Sequence, residues 1–334
     1  MNKIAIITLA AAITILPATT GVLAVSNPDE PIFSDVQTGN KYYTSIKYLK
    51  DQGLIEGYSD GSFKPYNEIN RAEAIKVLLK ALPETQDQTT PIETEIPNPK
   101  TFYFPDITPT DWFFEDLVIA WNNKLITGYN DGLFHPENTI NRAESLKIAL
   151  LKEGTQIPDQ ITDPPYTDVP ADAWFAKYAQ IAKERTIFLE NRGDGSLNPS
   201  NPMNRGDFIE MIYRIIKSQE GSTFARTTWY GDEGVNWGTA SGEKFNANAM
   251  TAAHKTLPFG TIIRVTNTNN GAQVDVTIND RGPYPTGVDL DLTKGAFSAI
   301  ASTGAGIINT EFQIITQENT NTQTTNSTIP QYGF

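Results

Sequence analysis

The apolar positions of the chain follow two different periods. In "NRAEAIKVLLKAL", which starts at Asn70, Ile75, Leu78, Leu79 and Leu82 recur at helical spacing and predict an amphipathic helix. From about Ala225 onward the period shortens to two. "TIIRVTN" (261–267) and "QVDVTIN" (273–279) alternate, with Val274, Val276 and Ile278 on one face and a "TNNG" turn between them, so the pair predicts a β-hairpin. A short helix is expected next, capped by Thr293 and burying Ala296, Phe297 and Ile300, and "TEFQII" (310–315) reads as a closing strand. The pattern predicts a multidomain chain, helical first and mainly β after, and 334 residues suffice for two or three compact units.

The helical part repeats itself. "GYSDGSFKP" (57–65), "GYNDGLFHP" (128–136) and "NRGDGSLNP" (191–199) are each followed, six residues after the proline, by an arginine that opens a helical run. Each has an aspartate upstream, Asp35, Asp106 or Asp168, and the distance from it to the Asp-Gly turn is 25, 25 and 26 residues. Each unit therefore reads as helix, turn-rich loop, helix. Asn70 and Asn141 are placed to cap their helices while Glu73 and Glu144 reach back, a variant of the capping box. In the first helix of copies two and three, Trp112, Phe113 and Ile119, and Trp174, Phe175 and Ile181, are expected in the core. His135 stands where the other copies have Lys64 and Asn198, which reads as a solvated loop position.

Segments outside these patterns set the compartment. The first 24 residues run from Lys3 through an apolar stretch to Val22-Leu23-Ala24, the layout of a cleaved secretory signal, with an uncleaved membrane anchor as the alternative; either reading puts the rest of the chain outside the cytoplasm. Residues 83–100, rich in Pro, Thr and Glu, read as a linker, and 317–334 as a disordered polar tail. The formal charge of -13 argues against nucleic acid as a partner. With no cysteine there is no disulfide framework, no Cys-based metal site or nucleophile, and no cysteine on which to build a lipid anchor.

The repeated motifs resemble those of the S-layer homology family, whose units carry an F-x-D opening, a following Trp, a G-Y-x-D-G-x-F-x-P loop and a T-R-A-E helix start. The resemblance covers residues 31–217, as repeats over 31–82, 101–153 and 163–217. It implies an α-helical pseudo-trimer that binds anionic secondary cell-wall polysaccharide in grooves between units. The motif arginines Arg71, Arg142 and Arg205 are then the expected contacts, with helix-start packing as their alternative role. Asn replaces the family's Thr in all three copies, and copy three has "NRGD" and "NRGDG" in place of both motifs, so the third groove is expected to be structural only.

In the β part the polar candidates are few: Glu243, His254, Asp280, Asp289 and Asp291. One histidine without cysteine does not make the usual zinc set, and no G-x-S-x-G, P-loop or dinucleotide fingerprint is present. Carboxylate chemistry on a polysaccharide remains, for which one acid that protonates the leaving oxygen is the minimum. On local pattern alone Asp280, in "INDRGPYP", is a turn residue before Gly-Pro. "TTWYG…GTASGEKFN", "TAAHKTLPFGTIIRVTNTNNG" and "INDRGPY…DLDLT", however, resemble the rare lipoprotein A family, a six-stranded double-psi β-barrel, over residues 225–316. That resemblance implies a secreted peptidoglycan lytic transglycosylase with no cofactor. It maps catalytic positions onto Glu243, His254 and Asp280, with Asp280 as acid and base, His254 orienting or polarising it and Glu243 placing sugar hydroxyls or sharing the proton. Arg281, Asp291 and Tyr230 are expected at the substrate. Trp229 and Tyr230 either stack on sugars or fill the barrel, core being the expectation for both, and Trp237 has the same alternatives. Val288 stands where the family often has Arg, and Asp289 after it is expected to make the site more acidic.

The expected product is a 1,6-anhydro end at N-acetylmuramic acid, with cleavage of its β-1,4 bond to N-acetylglucosamine. The alternative is a non-catalytic, expansin-like module that binds glycan and loosens the wall, and a weaker third reading is a purely structural surface protein. All three place the protein in the cell wall or surface layer, with peptidoglycan and a secondary wall polymer as partners and, after signal cleavage, no membrane attachment.

Overall fold

The computed structural model describes residues 31–82, 104–189, 194–231 and 238–315. The expected signal (1–24), linker (83–100) and tail (317–334), together with Trp237, lie outside the described residues. Among the described residues no helix is long and apolar enough to cross a membrane.

The helical part consists of α1 (Tyr43–Asp51), α2 (Arg71–Ala81), α3 (Phe114–Asn122), α4 (Arg142–Lys152), α5 (Ala176–Glu184) and α6 (Arg205–Gln219). Even-numbered helices start at the repeated Asn-Arg. Asn70 Oδ1 accepts the Glu73 N–H at 2.8 Å while the Glu73 carboxylate accepts the Asn70 N–H, and Asn141 and Glu144 do the same, so the expected capping boxes form. In copy three Asp207 is one methylene shorter. Its N–H still binds Asn204 Oδ1, but its carboxylate takes the Asn204 side-chain amide instead of the backbone.

The regular spacing between the first aspartate of each copy and its loop has a physical cause. Asp35 accepts the N–H groups of Phe63 and Lys64, Asp106 those of Phe134 and His135, and Asp168 those of Leu197 and Asn198, all at 2.7–3.0 Å. One carboxylate thereby satisfies two adjacent loop donors in each copy. The glycine of each Asp-Gly turn has a positive φ of 72–80°, a conformation that costs other residues more. His135 shares a positive φ with Lys64 and Asn198, and its ring meets Asp131 at 2.7 Å, so it belongs to the loop as expected.

Between copies the contacts run in a ring. Ile69 donates its N–H to the Met203 carbonyl, Met203 to Ile140 and Ile140 to Ile69. At the helix starts the N–H of Arg71 goes to Asn138 of copy two, that of Arg142 to Asn201 of copy three, and that of Arg205 to Asn67 of copy one. Orphan donors at each helix N-terminus are thus satisfied by the neighbouring loop.

The β part has six strands: β1 (Thr223–Tyr230), β2 (Thr251–His254), β3 (Ile262–Asn267), β4 (Gln273–Asp280), β5 (Leu290–Thr293) and β6 (Ile308–Ile314). They close a barrel in the order β1-β5-β2-β4-β3-β6, with β1/β5 and β2/β4 parallel and the other pairs antiparallel. Val274, Val276 and Ile278 face the core as expected, with Ile263, Val265, Leu290, Leu292 and Phe297. "DLDLT" is strand rather than helix start. Thr293 stands at the N-terminus of α7 (Lys294–Ser298), but its hydroxyl donates to the Ala249 and Thr251 carbonyls instead of capping it.

Helical and β parts meet closely. Three residues separate α6 from β1, and the buried Glu311 on β6 accepts hydrogen bonds from Tyr213 of α6 and from Ser222 in the junction, with the Lys217 ammonium 3.7 Å away. Backbone bonds from Gly39 to Asn269 and from Thr44 to Thr268 join the first repeat to the hairpin turn.

Candidate functional site

β2 is the strand that assembles the candidate active site. It runs between β4 and β5, and Ala253 pairs with Asp280 on one side and Asp291 on the other, across a register shift between Ala252 and Ala253. Two carboxylates eleven residues apart thereby flank one alanine. On the far side of β5, Asp291 pairs with Thr228 and Thr293 with Tyr230, which brings the Tyr230 ring towards the same row.

Asp280 ends β4 and is held from behind. Its Oδ1 accepts the N–H of Ala240 at 2.9 Å and that of Arg281 at 2.8 Å. The turn reading of this residue is therefore correct, and the turn aims the carboxylate. The loop that supplies Ala240 also carries Glu243, which is exposed and takes the Asn279 side-chain amide at 2.8 Å.

Tyr230 contacts Phe245 (ring centroids 5.4 Å apart), and among the described residues its buried hydroxyl has no hydrogen-bond partner. Its pKa is pushed far up, first by burial and then by the nearby charges of Asp280 and Asp291. The phenol stays protonated, as a donor beside two acids. Tyr230 is half-buried, and Trp229 packs on the barrel core and donates its indole N–H to the Thr303 carbonyl.

His254 ends β2 one residue beyond Ala253. Its Nδ1 accepts the backbone N–H groups of Thr256 and Leu257 at 3.2 and 3.0 Å, so in the neutral ring the proton sits on Nε2. Burial lowers its pKa, the Arg281 and Lys255 charges lower it further, and Asp289 opposes them. The ring meets Phe312 edge-on.

Arg281 is a strut. Its Nη1 donates to the carbonyls of Leu257 and His254, and its guanidinium lies 3.6 Å over the Phe259 ring. Asp289, expected to sharpen the acidity of the site, accepts the Arg226 backbone N–H at 2.9 Å and so ties β5 to β1.

A second candidate site lies on the helical part. The motif arginines each reach into the next copy: Arg71 donates to the Phe134 carbonyl, Arg142 to Leu197 and Arg205 to Phe63. Their packing role is thus real in all three copies. Arg205 also lines a groove of about 240 Å³ with Lys76 and Trp112, and Arg71 lines one of about 260 Å³ with Lys147 and Trp174. Trp112 and Trp174 are 56% and 54% exposed, which overturns the core position expected for them, whereas Phe113 is buried. The tryptophans and lysines face each other, at 5.0 Å for Lys76 over Trp112. In the third groove the equivalent of the lysine is Glu210 of copy three, which pairs with Arg214 at 2.7 Å, and the equivalent of the tryptophan is Lys41 of copy one. Residue five after each motif arginine carried this difference in the sequence and was not singled out.

A family model described as lytic transglycolase matches residues 223–312, and one described as S-layer homology domain matches 32–75, 103–144 and 165–209. A probable endolytic peptidoglycan transglycosylase RlpA from Synechocystis sp. is 50% identical over 139 residues, 40% of this chain and 43% of that protein. The endolytic peptidoglycan transglycosylase RlpA of Campylobacter jejuni is 47% identical over 88 residues, 26% of this chain and 32% of that one. The chain thus spans less than half the length of these curated relatives. Among solved structures, an expansin from Clavibacter michiganensis is 25% identical with a TM-score of 0.25, covering 29% of this chain and 51% of that one.

Proposed function

Since the chain carries three S-layer homology repeats followed by a domain of the lytic transglycolase family, we propose that it is a wall-anchored lytic transglycosylase that cuts the glycan strands of peptidoglycan. The observation that carries this reading is the acid row: Asp280, fixed by two backbone N–H groups, with Asp291 and the protonated Tyr230 hydroxyl beside it.

In the proposed reaction Asp280 gives its proton to the bridging oxygen as the bond to C1 of N-acetylmuramic acid breaks, releasing N-acetylglucosamine with a free 4-hydroxyl. The same carboxylate then takes the proton of the muramic acid C6 hydroxyl, whose oxygen closes on C1 as a 1,6-anhydro ring. Water is not consumed, and Asp280 ends as it began. Tyr230 backs the two acids with a neutral, protonated hydroxyl, His254 presents Nε2–H, and Glu243 holds Asn279 and binds sugar hydroxyls. Asp291 adds negative charge where positive charge develops at C1. Arg281 holds the loop that positions His254.

The repeats act as a pseudo-trimeric anchor with two grooves for an anionic secondary wall polysaccharide. Each combines an arginine, a lysine and an exposed tryptophan, a set suited to acidic sugars. The third arginine, Arg142, serves the helical ring. The protein then works outside the cytoplasm, at the cell wall.

Digestion of peptide-free glycan strands, read by mass spectrometry, tests the reaction. The expected result is 1,6-anhydro ends, lost in Asp280→Asn while wall binding is kept. Glycan binding without such ends would leave a non-catalytic, wall-loosening module.

A further inference from the structure

Beside the acid row stands an aromatic ring that the reaction does not use. Tyr284 is 84% exposed, the most exposed of the large apolar side chains among the described residues. Its Cε2 lies 3.8 Å from the point where a Cβ on Gly282 would sit, and that point is 3.8 Å from the Ala253 Cβ. Ala253 is the residue that pairs with both Asp280 and Asp291. The ring therefore adjoins the row, on the side to which the chain turns after Asp280. Phe259, 41% exposed, lies under the Arg281 guanidinium, and the Arg281 backbone N–H binds Asp280. An exposed tyrosine next to acids and donors has the make-up of a sugar subsite. A pyranose presents a C–H face to an aromatic ring and hydroxyls to carboxylates, and here both partners lie side by side.

We propose that Tyr284 is the stacking platform of a pyranose subsite, taking a sugar ring of the same β-1,4 glycan whose bond meets Asp280. This rests on the proposed function and assigns it a residue that sets affinity without touching the proton transfer.

The test uses the full chain carrying Asp280→Asn, so that strands bind without being cut, and isothermal titration with peptide-free glycan oligomers of four to six sugars. Tyr284→Ala in that background should weaken binding about tenfold, and Tyr284→Phe, which keeps the ring, should restore it to within about twofold of the parent. Because the side chain is so exposed, both variants should melt with the parent. Binding by Tyr284→Ala equal to the parent overturns the subsite while the proposed reaction stands. Tyr284→Phe as weak as Tyr284→Ala, so that the hydroxyl and not the ring carries the binding, overturns stacking. If the parent binds no oligomer at all, the proposed function falls and the subsite with it.

Discussion

The Tyr42 ring occupies the space that a side chain on Gly206 would need. A Cβ there would come within 2.7 Å of the ring Cζ and closer still to two other ring carbons, and the Tyr42 hydroxyl meanwhile bonds Asp207 at 2.6 Å. Copies one and two have Ala72 and Ala143 at the position of Gly206. The departure of copy three from the motif is therefore a fitted contact between the first and last repeats. Gly206→Ala should destabilise the helical part by about 1–3 kcal/mol, seen as a lower midpoint in thermal unfolding. Adding Tyr42→Phe should not relieve it, since the clash involves the ring.

Tyr230 offers a test in which activity and stability move apart. Its hydroxyl is buried and has no protein partner among the described residues, so Tyr230→Phe removes an unsatisfied polar group and should leave the melting temperature unchanged or raise it. The same change removes a donor at the acid row and should lower turnover on peptide-free strands about ten- to a hundredfold. A fall in stability with unchanged turnover would make Tyr230 a packing residue.

His254 gives a signed pH dependence. Its folded pKa lies below the ordinary 6.5 that it regains on unfolding. Between those values the unfolded chain holds a proton that the folded one does not, so the contribution to stability is full above the ordinary value and lost as pH falls through the folded one. His254→Gln should flatten the decline of melting temperature below about pH 6.5. Direct confirmation would come from imidazole proton shifts, resolved easily in a chain with two histidines. A midpoint above the ordinary value would contradict the burial of the ring.

The grooves predict unequal repeats. Trp112→Ala and Trp174→Ala should each weaken sedimentation with purified walls, by about three- to thirtyfold if each stacking contact is worth 0.5–2 kcal/mol. Lys41→Ala, at the equivalent place in copy one, should leave it within about twofold. Equal losses from all three would mean that the third groove binds too.

What could be read from the sequence divides along a physical line. The capped helices, the Asp-Gly turns and the hairpin were legible because each rests on contacts within a few residues, as when Asn70 meets Glu73. Asp280 was legible as a turn, and as an acid through the order of the surrounding blocks. Contacts between distant segments left little local trace. Tyr42 and Gly206, or Asp280 and Asp291 through Ala253, come together only when the ring and barrel close. The tryptophans were expected in the core because large aromatic residues usually are, and nothing local distinguishes exposed Trp112 from buried Phe113.

The short junction after α6 and the buried carboxylate of Glu311, bonded to Tyr213 and Ser222, bear on how far the barrel can travel. A domain on a long flexible tether samples a sphere of wall and meets strands at every angle. A barrel clasped directly to its own anchor meets only strands that pass at one height and heading. Under the proposed function, where the bound polymer is laid down then decides where the mesh is opened, so the pattern of cuts becomes a copy of the pattern of anchorage.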